Sequence, residues 1–389
     1  MGFGILLGVY IVAPRLGVAM LILASLVAFH AMLRNGFAAR HIFSILVGFL
    51  VFLGWALISA LTISHHDGEF ASMAKVGGLF LAGSVAILFW ISGDRAVQYL
   101  RVDKNFIYLG VALGGLVLLI AFVWALVTGQ SLWGSYYFDP LTTLNNSSVI
   151  LSLFVWPLIC VFFRNPSIIG GLVIAGAVVM IALLPSTAAL GALVVGGVVV
   201  LVRRIAGKLG GAAIVLMTVF MVIMAPYSIK ALNVNGPSAR EWVNDTSSAL
   251  PYSARHRLAM WAFAAEKIDV KPWLGWGFGA SRFIPQEDHR LAPNMEIMPL
   301  HPHNLVLQTR LELGIPGVLI LAGLVFAIFY RLLSFNDDGW KSGLAMAPAA
   351  SWFFVANVSY GMWQSWWIAT AFLLAIVMRL ALFEEADCV

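Results

Sequence analysis

Apolar residues run along this chain in long blocks, without the alternation of a half-buried strand or the stripe of a water-soluble helix. Blocks lie at roughly 16–33, 42–63, 73–92, 106–128, 147–163, 167–184, 187–202, 210–226, 314–333, 344–361 and 364–382. Each comes close to the ~20 residues that cross a bilayer as a helix. In hydrocarbon every backbone N–H and C=O must be paired within its own segment, so such a block is a helix. A shorter apolar run at 2–13 ends before Pro14-Arg15. No basic residues precede it and no clear cleavage site follows, so it counts as a short first span and not as a signal-peptide core. The pattern predicts an all-α, polytopic integral membrane protein of about twelve transmembrane helices.

The basic residues orient these spans. Arg34 and Arg40, Arg95, Arg101 and Lys104, Arg164, Arg203, Arg204 and Lys208, Arg331 and Lys341, and Arg379 fall in alternate loops and at the C-terminal end. The short loops of the other side hold only Arg15 and Lys75. Cytoplasmic loops carry the excess of Lys and Arg, so both termini are expected in the cytoplasm. The remaining basic residues lie in one long outer segment, which the charge rule exempts. The chain therefore divides into an N-terminal bundle of about nine spans (1–226), a large outer loop of helices (227–313), and three C-terminal spans with a short tail (314–389).

Composition agrees with this reading. The 389 residues are 61% hydrophobic and 11% charged, far from the roughly one-quarter charged residues of soluble domains. An ordinary soluble enzyme, a disordered chain and a collagen-like fibre are excluded. Cys160 and Cys388 make no disulfide framework. The net charge of +5 is explained by loop placement, so nucleic acid is not an expected partner. Glycines such as Gly170-Gly171, Gly191 and Gly196-Gly197 suit close helix packing. The spans hold almost no ionisable residues, which argues against an ion pump. His30, near the cytoplasmic end of its helix, reads as a packing residue.

Polar chemistry concentrates in 227–313. This segment holds His256, His289, His301 and His303, with Trp242, Trp261, Trp273 and Trp276. Ser253–Asp269 reads as a helix with Leu258, Trp261, Ala262 and Ala265 on one face. Arg257 and Trp261, four apart, share a face. An interfacial helix with snorkelling arginines and a ligand-binding face both remain open here. The turn Lys271-Pro272-Trp273-Leu274-Gly275-Trp276-Gly277-Phe278-Gly279 is a poor phosphate loop, since no strand precedes it. In His301-Pro302-His303-Asn304, Pro302 favours an extended His301 and a helix starting at His303. That helix would align His303, Leu307, Arg310 and Leu311, and Gly314 with Pro316 would break it. His303 suits either a proton acceptor or a structural role. A metal site at His301 and His303 lacks supporting ligands. Ser64–Glu69, with His65 and His66, reads as a solvated turn. The aromatic and amide residues of 129–146 (Gln130, Trp133, Tyr136, Tyr137, Asp139, Asn145, Asn146) suit an interfacial belt or sugar rings.

These stretches resemble the O-antigen ligase and polymerase family of bacterial envelope glycosyltransferases. Arg257-x-x-x-Trp261 with Pro272-Trp273-Leu274-Gly275-Trp276-Gly277 resembles its Arg/Trp helix and Pro-x-x-Gly-x-Gly turn. His303-Asn304 through Glu312-x-Gly314 to Gly317 resembles its His-Asn…Glu-x-Gly…Gly signature. About twelve spans with one large outer loop complete the likeness. The resemblance implies a GT-C-like, metal-independent and cofactor-free glycosyltransferase of the bacterial inner membrane, with its site facing the periplasm. The donor would be a glycan on undecaprenyl diphosphate. The acceptor would be lipid A–core for a ligase or a second lipid-linked glycan for a polymerase; related members glycosylate proteins. The catalytic pair falls on His303 and Arg257. Arg255, Arg282, Arg290, His301, Asn304 and Trp261 are the expected diphosphate and glycan contacts. Relatives carry a further Arg where this chain has Asn145-Asn146 or Ser186-Thr187, so a second basic contact has to come from elsewhere. A transporter of lipid-linked glycans is the rival class.

Overall fold

The structure is a computed structural model, and it describes residues 2–35, 43–63, 69–92, 105–132, 141–231, 243, 250–286, 290–292, 295–334 and 339–382. The expectations placed on Arg40, His65, His66, Arg95, Arg101, Lys104, Trp133, Tyr136, Tyr137, Asp139, Trp242 and His289 lie outside these residues, as does the side chain of Arg290.

The apolar blocks are helices. In chain order they are α1 (Gly2–Val12), α2 (Gly17–Asn35), α3 (Phe43–Thr62), α4 (Glu69–Ser92), α5 (Phe106–Thr128), α6 (Asn145–Arg164), α7 (Ile168–Leu183) and α8 (Thr187–Ala231). Then follow α9 (Tyr252–Val270), α10 (Leu305–Leu333), α11 (Trp340–Ala356) and α12 (Ser365–Leu382). Among the described residues seven helices are long and apolar enough to cross a membrane. One of them, α8, reverses direction at Gly207, whose φ of 57° is left-handed. A Cβ on Gly210 would lie 2.7 Å from the Val202 carbonyl oxygen, an approach that a straight helix forbids. The two expected spans at 187–202 and 210–226 are thus the arms of this hairpin. Val127, Ile168 and Leu209 are among the most exposed apolar side chains.

Small polar groups fasten the bundle where hydrophobicity gives no preference for protein over lipid. The Trp156 indole N–H of α6 donates to Ser351 Oγ of α11 (3.0 Å), and that hydroxyl donates to the Ala192 carbonyl of α8 (2.6 Å). A Cβ on Gly196 would sit 2.3 Å from the Trp156 ring, so this glycine admits the indole. Tyr10 Oη and Thr370 Oγ1, 2.6 Å apart, join α1 to α12.

A second apolar core lies apart from the bundle. Ala259, Met260, Phe263 and Ile268 of α9 bury against Leu307 and Leu311 of α10, with Ile284, Ile297 and Met298. This core forms a cap within the 227–313 segment. Strands β1 (Arg290–Ala292) and β2 (Met295–Glu296) pair as an antiparallel hairpin, a small departure from the purely helical expectation. Gln286 stabilises its exit in the manner of a third strand. Its side chain donates to the Met298 carbonyl (2.7 Å) and accepts from the Met298 N–H (2.8 Å).

Candidate active site

The two sequence stretches around the cap's glycines dock on each other, backbone to backbone. The Trp276 and Gly277 N–H groups donate to the carbonyls of Leu311 (2.8 Å) and Glu312 (2.9 Å), and the Ile315 N–H donates to Trp273 (2.9 Å). Such an approach leaves no room for side chains. A Cβ on Gly314 would lie 2.1 Å from the Trp273 oxygen, and one on Gly275 would lie 2.6 Å from the Glu312 oxygen. Both glycines have positive φ, 66° and 77°, which L side chains disfavour. The glycine turn is therefore a clasp on α10, and Gly314 bends that helix as expected.

Glu312 lies under the clasp with no solvent exposure. Its oxygens accept from the Gly279 N–H (2.9 Å), Ser281 Oγ, Gln308 Nε2 (3.1 Å) and Trp363 Nε1 (2.6 Å). Four donors from three segments meet a buried carboxyl's need for partners. Sequence reasoning placed Glu312 in a signature without giving it a role. A lone acidic residue in an apolar stretch was the available signal.

The chain before α10 departs from one expectation. The helix begins at Leu305, not His303, because Asn304 is the N-cap: its Oδ1 accepts from the Leu307 N–H at 2.9 Å. His303 is left outside with φ of 51°, the one non-glycine residue with positive φ among those described. The expected stripe through His303, Leu307, Arg310 and Leu311 therefore does not include His303. Arg310 instead donates to the Pro272 carbonyl and supports the clasp.

This backbone kink aims the histidines. The rings of His301 and His303 lie 4.3 Å apart, centroid to centroid. His303 Nδ1 faces the Ser359 carbonyl oxygen at 2.5 Å, so Nδ1 carries the proton and neutral His303 keeps a lone pair on Nε2. His301 Nδ1 accepts from the His303 N–H at 3.3 Å, which puts the His301 proton on Nε2. Burial holds His303 below the ordinary imidazole range, and the charges of Arg257 and His256 lower it further. Burial, His303 and Arg282 together bring His301 down to about 3. Both imidazoles are neutral near pH 7.

The expected contacts separate into groups. Arg257, half-buried on α9, bears electrostatically on His303 and on Tyr360, whose hydroxyl is raised by burial and lowered by Arg257. Trp261, one turn along, donates its indole N–H to the Pro302 carbonyl at 2.7 Å and pins the loop between the two histidines. Arg255 lies about 200° round the helix from Arg257. It is buried there, its Nε and Nη1 lacking partners among the described residues. Arg282 is exposed beside His301. Asn304 spends its side-chain oxygen on the cap. At the positions where the resemblance led to an expected arginine, Asn146 accepts from the Tyr360 hydroxyl (2.9 Å) and Ser186 caps α8 toward Ala189. No group of three or more His, Cys, Asp or Glu suited to a metal ion occurs among the described residues.

The O-antigen ligase family model matches residues 171–322, a stretch that runs from α7 through the cap into α10. The chain is 24% identical over 339 residues to a Rickettsia typhi protein named "Putative polysaccharide ligase", covering 85% of this chain and 79% of that one. A similarly named Rickettsia prowazekii protein is also 24% identical over 339 residues. A Rickettsia conorii relative of the same description is 34% identical over 132 residues, covering 33% of this chain and 32% of its own length. With its apolar helices, the matched segment and these relatives, this multi-pass membrane protein is similar to the O-antigen ligase family over residues 171–322 and to polysaccharide ligases over most of its length.

Proposed function

We propose that the protein is an O-antigen ligase-type glycosyltransferase of the bacterial inner membrane. It moves a glycan from undecaprenyl diphosphate to a sugar hydroxyl of lipid A–core on the periplasmic face. The observation that carries this reading is the His303 Nδ1 bond to the Ser359 carbonyl, which leaves Nε2 to accept a proton on an imidazole that feels the charge of Arg257. The acceptor O–H gives its proton to Nε2 as its oxygen attacks the anomeric carbon. The bond from that carbon to the diphosphate oxygen breaks, and its electron pair leaves with the lipid diphosphate. Negative charge grows on the leaving group, where Arg257 stabilises the transition state more than the ground state. Arg suits this task because its planar fork binds two phosphate oxygens. Proton removal by a positioned base contributes about 10²–10⁴-fold. Attack opposite the leaving group inverts the anomeric centre.

The test uses purified protein in nanodiscs with undecaprenyl-diphosphate-linked glycan and lipid A–core. Sugar on the core supports the ligase reading, whereas longer chains on the carrier make the protein a polymerase. An untouched donor favours a transporter. His303→Ala and Arg257→Ala are expected to abolish transfer while the protein still inserts and purifies. Full activity in both variants removes the site assignment.

A further inference from the structure

A cavity of about 170 Å³ opens on the side of His301 where Arg282 stands. Its walls include Arg282, His301, Gln308, Glu312, Trp363 and Gln364, but neither His303 nor Arg257. Most of the polar groups in this wall are already committed. Glu312 has its four donors. Gln308 donates to Glu312 and accepts from the Met362 N–H at 2.8 Å. The Trp363 N–H is held by Glu312, and its ring packs on Phe278 with centroids 4.6 Å apart. That leaves a rigid aromatic wall with two uncommitted polar groups.

The first is the Arg282 guanidinium, which has no ion-pair partner among the described residues. The second is the Gln364 amide. Its Nε2 is placed 3.3 Å from His301 Nε2, and its Oε1 is buried without a partner among the described residues. His301 Nε2 carries a proton, so the amide must turn its oxygen toward it. The unpartnered atom is then the NH₂ group. Every uncommitted polar group in the wall is thus a donor.

We propose that this cavity is the acceptor subsite, and that it takes a sugar ring bearing an acidic group, with Arg282 and Gln364 as its polar contacts. The inference rests on the reading of His303 and Arg257 given above. Arg282 lines this cavity with His301, whereas Arg257 and His303 do not, so the two guanidinium groups serve different places. An inverting displacement needs the incoming hydroxyl and the departing diphosphate on opposite faces of the anomeric carbon. With diphosphate on Arg257, the cavity beside Arg282 is left to hold the acceptor's sugar ring, and its attacking hydroxyl must reach out of the cavity to His303 Nε2. The indole offers an apolar wall for the sugar ring, and the donors select an acid.

The test measures binding to wild-type protein in nanodiscs, with lipid A–core and undecaprenyl diphosphate as separate probes. Arg282→Gln changes an exposed side chain and leaves the fold intact. This variant and Gln364→Ala are each expected to weaken lipid A–core binding about tenfold, the loss of one charge-assisted or buried hydrogen bond. Both should leave undecaprenyl diphosphate binding within about twofold, and Arg257→Gln should do the reverse. Lipid A–core stripped of phosphates and esterified at its carboxylates should bind wild type as weakly as intact core binds Arg282→Gln, with no further loss in the variant. Unchanged core binding in Arg282→Gln, equal weakening of both probes, or no core binding to wild type overturns the subsite. Failure of wild type to bind undecaprenyl diphosphate while it still binds core overturns the donor reading instead.

Discussion

His303 Nδ1 donates to the carbonyl oxygen of Ser359, 2.5 Å away across 56 residues of sequence. The bond joins the kinked entry of α10 to the turn between α11 and α12. A backbone carbonyl only accepts, so it selects one tautomer and keeps Nε2 unprotonated in the neutral ring. The positive φ of His303 and the Asn304 cap are the local cost of that aim.

The first consequence is a pH dependence. As the proposed base, His303 must be neutral, and burial holds it below the ordinary 6.5. The acid limb of transfer should therefore be centred below pH 6.5. The charge of Arg257 depresses His303, so residual activity in Arg257→Gln should show its acid limb at higher pH. Profiles of kcat/KM against pH, which report the free protein, check both; an acid limb centred above 6.5 in wild type contradicts the assignment.

Glu312 serves position and stability. Glu312→Ala strands four donors, of which Ser281 and Gln308 are buried, and a buried donor costs about 1–3 kcal/mol when unpaired. A loss of ~3 kcal/mol or more is expected in detergent-solubilised protein. Glu312→Gln keeps the shape but turns an NH₂ group toward donors, and should fall between wild type and Ala. Thermal unfolding followed by intrinsic tryptophan fluorescence measures the order; an unchanged midpoint in Glu312→Ala rejects it.

The glycine clasp gives a matched pair of variants. Gly314→Ala sets a methyl group 2.1 Å from the Trp273 oxygen at a φ of 66°. It should destabilise by about 1–3 kcal/mol. Gly323, in the same helix, has nothing within 4 Å of its added Cβ. Gly323→Ala should be neutral or stabilising, because alanine favours a helix by up to about 1 kcal/mol over glycine. Equal midpoints for the two variants would contradict the clasp.

Gly361 lies against the His301 ring. A Cβ there would sit 2.5 Å from His301 Cδ2, so Gly361→Ala must displace the imidazole. The variant should fold, yet lose about tenfold or more in transfer, since small misplacements near a reacting centre are costly. Wild-type transfer by a folded Gly361→Ala protein would show that the ring's place is unimportant.

Much of this was legible along the chain. The long apolar blocks dictate membrane helices because unpaired backbone groups are intolerable in hydrocarbon, and that requirement is local to each segment. The break at Gly314 and the helix carrying Arg257 and Trp261 were readable for similar reasons, in glycine conformation and helical spacing. Tertiary structure alone decided the rest. It turned Arg255 into the cap interior and left Arg257 by His303. It moved the helix start from His303 to Leu305, gave Glu312 its four partners, and opened a cavity between His301 and Trp363. These outcomes depend on groups brought together from distant segments. A hydrogen bond such as His303 to Ser359 leaves no local pattern in the amino acids when its acceptor is a backbone carbonyl, which every residue possesses.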